Sequence, residues 1–88
     1  MKLKYKFYFQ HLGDQWLGVP VGEESSNLNA MLHLNDVGHD IAELLTSDTD
    51  REAIIAMLLD TYDAERSVVE TYVDESLNSL REQGLLDS

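Results

Sequence analysis

The chain of 88 residues contains no cysteine, one proline and five glycines. The absence of cysteine excludes disulfide scaffolds, zinc ribbons, iron–sulfur clusters and thiol catalysis, and it is compatible with a reducing compartment. So little proline and glycine excludes the collagen-like and proline-rich classes. The length allows one domain, which we expect to span residues 1–88.

Basic residues are also scarce, because six lysines and arginines stand against 17 acids and the net charge is −11. Nucleic acid is excluded as an expected partner, since its binding depends on Lys and Arg replacing counterions. An anionic membrane surface would repel the chain as well. Residues 1–27 are neutral overall, so the net charge lies in residues 28–88. Such a surface either keeps the chain soluble or steers a basic partner toward it.

Long hydrophobic runs are missing too. The longest apolar run is Ala53–Leu59, far below the ~20 residues that a membrane-spanning helix needs. The N-terminus alternates lysines with apolar residues and has no hydrophobic signal-peptide segment. We therefore expect a cytoplasmic protein with no membrane partner.

The first third of the chain has a hydrophobic period of two, which predicts strands. The first strand is predicted by the alternating apolar residues Leu3, Tyr5, Phe7 and Phe9. Gly13-Asp14 predicts a turn, and Gln15–Val21 predicts a second strand. Pro20 places the end of that strand at a sheet edge or outside the sheet.

A polar loop over residues 22–27 precedes a short third strand, Met31–Leu34. Because successive side chains of a strand point to opposite faces, we expect Leu32 and Leu34 to face the core. Met31 and His33 would then face away from the core.

From Asn35 onward the period changes to that of an amphipathic helix. Asn35 or Asp36 can cap the first helix. Thr49 and Glu52 form a capping box at the start of a second helix. The third helix is predicted over Asp63–Gln83, and Gly84 ends it. Its apolar line consists of Val69, Val73, Leu77 and Leu80. The fold class is therefore α+β, a three-stranded antiparallel sheet followed by three helices.

No motif of catalysis or cofactor binding is present: the chain has no glycine-rich phosphate loop, Gly-x-Ser-x-Gly or His-Glu-x-x-His. His33 and His39 do not have the spacing of a metal site with Asp36 and Asp40. We expect no catalytic residue, no metal and no cofactor.

Two other classes of small protein fit the residues less well. Acyl carriers place an Asp directly before the modified Ser, whereas here Glu75 lies between Asp74 and Ser76. A DNA-binding winged helix needs basic residues on its recognition helix, whereas acids outnumber Arg66 and Arg81 on the third helix.

Several short motifs, in order along the chain, resemble the PqqD-like family, whose fold is also called the RiPP precursor recognition element. They are Leu34-Asn35 with Gly38, Ile41, Leu44-Leu45, Thr49 to Glu52, Tyr62-Asp63, and Gly84-Leu85-Leu86. The chain departs from the family at Ala42, where members often have Trp.

The resemblance implies a winged-helix-like domain without catalytic activity. It would bind the leader segment of a ribosomally made precursor peptide as a strand beside Met31–Leu34 and against the third helix. It would then present the peptide to a modifying enzyme, often a radical SAM enzyme. The candidate peptide-binding residues are Met31, Leu32, His33, Leu34, Val69, Tyr72, Val73 and Ser76.

A second interpretation belongs to a different class. A structural or regulatory module could form a homodimer through the same sheet edge, because an uncovered edge accepts any extended partner. The two interpretations differ in whether added peptide or added protein perturbs that edge.

Overall fold

In a computed structural model, the described residues are 1–22 and 31–87. Apart from Gly22, the predicted loop over residues 22–27 lies outside them. The elements in chain order are β1 (Lys2–Leu3), β2 (Lys6–Leu12), β3 (Gln15–Val21), β4 (Leu32–Leu34), α1 (Asp36–Leu44), α2 (Arg51–Thr61), α3 (Arg66–Glu82) and β5 (Leu86–Asp87). This architecture confirms the predicted α+β class, with three helices and a three-stranded antiparallel sheet.

The larger sheet has the strand order β2-β3-β4, with both pairs antiparallel. A two-residue turn joins β2 to β3, and Gly13 occupies it with φ 63°. Gly18 of β3 pairs with Leu32, and a Cβ at Gly18 would lie only 3.2 Å from the Cβ of Leu32 and 3.1 Å from the Phe9 ring. The missing side chain therefore lets Phe9 and Leu32 approach each other over β3.

The N-terminal segment forms two strands rather than the single strand that its alternation predicts. β1 pairs with β5, Leu3 opposite Leu86, in a separate two-stranded sheet. The Leu3 N–H donates to the Leu45 carbonyl, and the Lys4 N–H donates to the Leu85 carbonyl, both at 2.9 Å. β1 is separate from the larger sheet because Leu3 is buried in the core. Residues distant in sequence therefore decide where the N-terminal strand breaks.

The helix starts agree with the sequence at α1 and differ at the other two helices. Asn35 caps α1, and its Oδ1 accepts from the Gly38 N–H at 2.8 Å. The cap of α2 is Asp50, not Thr49, with the Ala53 N–H donating to it. Both side chains can cap, but the Thr49 N–H is bound to the Met1 carbonyl. Glu52 does not complete a capping box. It pairs with Arg51 and Arg66.

The third helix begins at Arg66, three residues after its predicted start at Asp63, and its N-cap Glu65 makes no side-chain capping bond. Its end agrees with the prediction. Gly84 has φ 72°, and the Leu85 N–H donates to the Leu80 carbonyl. This reversal turns the chain into β5.

The core lies between the three helices and the inner face of the sheet. Its buried residues are Leu3, Leu32, Ile41, Leu45, Ile54, Ile55, Leu58, Val69, Val73, Leu77, Leu80, Leu85 and Leu86. At the sheet, the His39 ring of α1 stacks on Trp16, with ring centroids 3.6 Å apart, and Trp16 Nε1 donates to Asp36.

Polar contacts also tie the helices together. Arg51 donates two hydrogen bonds to Asp74, at 2.6 and 3.1 Å, joining α2 to α3. The guanidinium holds the pKa of the Asp74 carboxyl below its usual value. The Tyr62 hydroxyl donates to Asp40 of α1, and this bond raises the pKa of Tyr62 to about 12, with burial as the second cause.

We expect the Leu85→Ala substitution to destabilise the fold by about 2–5 kcal/mol. Leu85 is fully buried in the core, and the shorter side chain would leave a cavity there. Urea unfolding measures the effect. The matched control is Met57→Ala, which removes an exposed side chain of α2 and should change stability by less than about 0.5 kcal/mol. Equal midpoints for the two variants would contradict the placement of Leu85.

Candidate functional site

A cleft of about 380 Å³ runs between β4 and α3. Met31–Leu34 form one wall, and α3 forms the opposite wall with Tyr72, Ser76 and Ser79. Gly38, Ile41 and Ala42 of α1 form the floor. The cleft thus brings together the two elements that the sequence predicts to form a binding site.

The strand wall follows the predicted alternation. Leu32 is buried against the core and Leu34 is half-buried, while Met31 and His33 are exposed. The strand itself is Leu32–Leu34, one residue shorter than predicted. Within the described part of the chain, β4 pairs only with β3, so its other edge has no strand partner there.

The α3 wall separates the candidate residues into two groups. Tyr72 and Ser76 are half-buried and line the cleft. Val69 and Val73 are 6% and 0% exposed and do not line it. The structure therefore places these two candidates in the core beneath the cleft, where they support the wall from below.

Sequence reasoning did not identify Ser79, Gln83 and the floor residue Ala42 as parts of the cleft. The available signal was helical spacing. Gly38 and Ala42 are small residues one turn apart beside buried Ile41, and Ser79 follows Ser76 by three positions on α3. Ala42 is buried and lines the cleft. Its small side chain therefore forms part of the cleft floor.

One hydrogen-bonded bridge connects the two helices that border the cleft. Asn35 Oδ1 accepts from the Gly38 N–H at 2.8 Å and from the Tyr72 hydroxyl at 2.7 Å. The residue that caps α1 therefore also holds the Tyr72 ring across from β4.

The charged groups of the cleft are few. Glu75 is the acid among its lining residues, and no lysine or arginine is among them. Within residues 1–22 and 31–87, His, Asp and Glu form no group of three or more that could hold a metal ion. None of the helices in the described ranges has the length and apolar content that spanning a lipid bilayer requires. Among the described residues, the cleft offers a strand edge without a strand partner, an apolar floor and hydroxyl groups.

Comparison with known proteins gives one family and one solved structure. Residues 19–86 match the family model of coenzyme PQQ synthesis protein D (PqqD). The fold is similar to a chain of the structure "TbiB1 in Complex with the TbiA(beta) Leader Peptide", with a TM-score of 0.76 and 23% sequence identity. That similarity covers 100% of this chain and 96% of the other. No curated protein matches the chain in sequence.

We expect Asn35→Ala to lower the stability of the fold by about 0.5–2 kcal/mol, the usual cost of losing a helix N-cap. The substitution also removes the acceptor of the Tyr72 hydroxyl. Asn35→Asp is the matched control, since an Asp side chain caps as well as Asn. Urea unfolding of the three proteins tests this. An Asn35→Ala protein as stable as the control would show that the bridge does not hold α1 in place.

Proposed function

Since the chain belongs to the PqqD family, we propose that it binds the leader segment of a ribosomally made precursor peptide in the cleft between β4 and α3. The observation that carries this proposal is the outer edge of β4, which has no strand partner in residues 1–22 and 31–87 and runs along an open cleft. The similar TbiB1 structure is a complex with a leader peptide, which supports the same class of ligand here.

The backbone of β4 suits strand addition. Antiparallel strands alternate between residue pairs that exchange hydrogen bonds and pairs that do not. Pro20 has no N–H to donate, so we infer that its pair with Phe7 is a non-bonded one. Alternation along β3 then makes Leu17 and His33 a non-bonded pair as well. The N–H and carbonyl of His33 therefore point away from β3, toward the open edge where a peptide strand would pair.

The side chains of the cleft would select the peptide. In strand addition, backbone hydrogen bonds give affinity, and pockets for alternate side chains give specificity. Every second side chain of the bound segment would face the floor at Ile41 and Ala42, so apolar side chains are favoured there. Tyr72 and Ser76 would contact the segment from the α3 side.

The charge of the chain favours a leader that carries Lys or Arg beside its apolar anchors. Glu75 lines the cleft, and the chain as a whole carries −11. Exposed charges of this kind act mainly on the rate of association and weaken as salt is added.

The domain would act by presentation rather than by catalysis. It would hold the leader while a separate enzyme, of the radical SAM type or another peptide-modifying class, acts on the rest of the precursor. This role requires neither a cofactor nor a nucleophile in the domain itself.

We expect His33→Pro to abolish leader binding, because proline removes the outward N–H and restricts φ. His33→Ala keeps that N–H and is the matched control. The measurement is calorimetric titration with a synthetic leader of the precursor encoded beside the gene, after circular dichroism confirms that both variants fold.

A folded His33→Pro protein with unchanged affinity for the leader would show that the leader does not bind at β4. If the amide resonances of Met31–Asn35 instead shift with protein concentration and not with peptide, the dimerisation interpretation would replace peptide binding.

We expect Tyr72→Ala to weaken leader binding by about 1–3 kcal/mol, the range of an aromatic hot spot. The loss should persist at high salt, since it removes contact area rather than charge. Tyr72→Phe keeps the ring, and its comparison with Tyr72→Ala separates the ring from the hydroxyl bond to Asn35. A folded Tyr72→Ala protein that binds the leader as tightly as wild type would exclude this part of α3 from the site.

A further inference from the structure

A second groove lies at the break between β1 and β2 and shares no lining residue with the β4–α3 cleft. Its volume is about 910 Å³. Lys2, Lys4 and Lys6, which are all the lysines of the chain, line it together with Tyr5, Tyr8 and Val21. No acid is among its lining residues. We call this surface the lysine groove.

Two of the three lysines, Lys4 and Lys6, differ from most other cations of the described residues in having no carboxylate partner among those residues. Arg51 and Arg66 form ion pairs with acids of α2 and α3. Among the described residues, Lys4 and Lys6 form no ion pair within 4 Å. Lys2 lies close enough to Asp48 to contribute to the lowering of the pKa of that carboxyl, although the N-terminal ammonium dominates the effect. The lysine groove is therefore a local positive surface on a strongly negative chain.

The groove continues onto the second uncovered strand edge of the sheet. In the strand order β2-β3-β4, the outer edge of β2 has no strand partner in the described part of the chain. β2 is seven residues long and contains no proline. On its outer face Tyr8 is 61% exposed and pairs with Val19, while Lys6 pairs with Val21. An extended segment could pair with this edge and place its side chains along the lysines.

We propose that the lysine groove binds an acidic, extended segment of a partner protein. Charge complementarity argues for this occupant: within the described residues Lys4 and Lys6 have no carboxylate partner, and the outer face beside them is apolar. The identity of the partner rests on the function proposed above. Under that function, the partner is the enzyme that receives the peptide. Because the groove and the cleft are separate, the domain can hold both at once.

Lysines on a strand edge also discourage edge-to-edge aggregation, and the experiment separates that role from docking. The probe is a fluorescein-labelled peptide of alternating Glu and Val, as long as β2, titrated with the full chain and followed by fluorescence anisotropy. We expect binding that weakens with salt. A double substitution, Lys4→Gln with Lys6→Gln, should weaken it by about threefold to tenfold, and Lys4→Arg with Lys6→Arg should retain it.

The cleft provides the control for location. Leader binding should be unchanged in the Gln double variant, and binding of the acidic peptide should be unchanged in His33→Pro. Failure of leader binding in wild type would then refute the proposed function and leave the groove result standing.

Any one of four results would overturn the proposal. The first is equal affinity of wild type and the Gln double variant for the acidic peptide. The second is salt-sensitive self-association that the Gln variant loses, seen by sedimentation, since the occupant would then be a second copy. The third is binding to phosphatidylserine vesicles without binding to the peptide, which would assign the groove to a membrane surface. Self-association that appears only in the Gln variant, with no peptide binding in wild type, also overturns it and assigns the lysines to edge protection.

Discussion

The position of α3 depends on one buried line of side chains, and the cleft depends on α3. Val69, Val73, Leu77 and Leu80 all face the core. Because each helical residue turns about 100° from the last, this packing places Tyr72 and Ser76 at the flank of the helix, facing β4. The Arg51–Asp74 pair holds the opposite flank to α2. The candidate site is thus a consequence of core packing, because the candidate residues Tyr72 and Ser76 lie directly beside the buried line.

The strand wall depends on a comparable constraint within the sheet. Leu32 can be buried because Gly18 has no side chain between it and Phe9. Anchoring Leu32 in this way leaves Met31 and His33 exposed, and it keeps the outer edge of β4 beside the cleft. Asn35 then joins the α3 wall to the floor formed by α1, because its Oδ1 accepts hydrogen bonds from both the Gly38 N–H at the α1 cap and the Tyr72 hydroxyl.

Local patterns predicted the parts of the fold that local interactions decide. The bounds of β3, the alternation of β4, the α3 core line and the Gly84 stop all follow from periodicity and backbone preference. The break between β1 and β2 does not, since it depends on Leu86 at the other end of the chain. The prediction of the α2 cap was wrong for a similar reason. Met1, at the start of the chain, binds the Thr49 N–H through its carbonyl, and Asp50 caps the helix instead.

The position of the cleft was predictable to a similar degree, while its role as a binding site stays a prediction. The resemblance to PqqD-like proteins pointed to β4 and α3, and the structure places the cleft between them. Helical spacing placed Val69 and Val73 on the α3 core line and Tyr72 beside it, whereas the resemblance made all three candidates for peptide contact, and only the burial in the structure separates them. The contribution of Ala42 depends on the orientation of α1, which the stack of His39 on Trp16 sets across two elements.

Intermolecular nuclear Overhauser effects between the isotope-labelled chain and an unlabelled leader peptide test the central claim most directly. Strand addition at the cleft predicts cross-strand contacts from peptide backbone protons to the amides of Met31 and His33, together with contacts from peptide side chains to the Tyr72 ring. Contacts to β2 or to exposed Met57 of α2, with none to β4, would contradict the account.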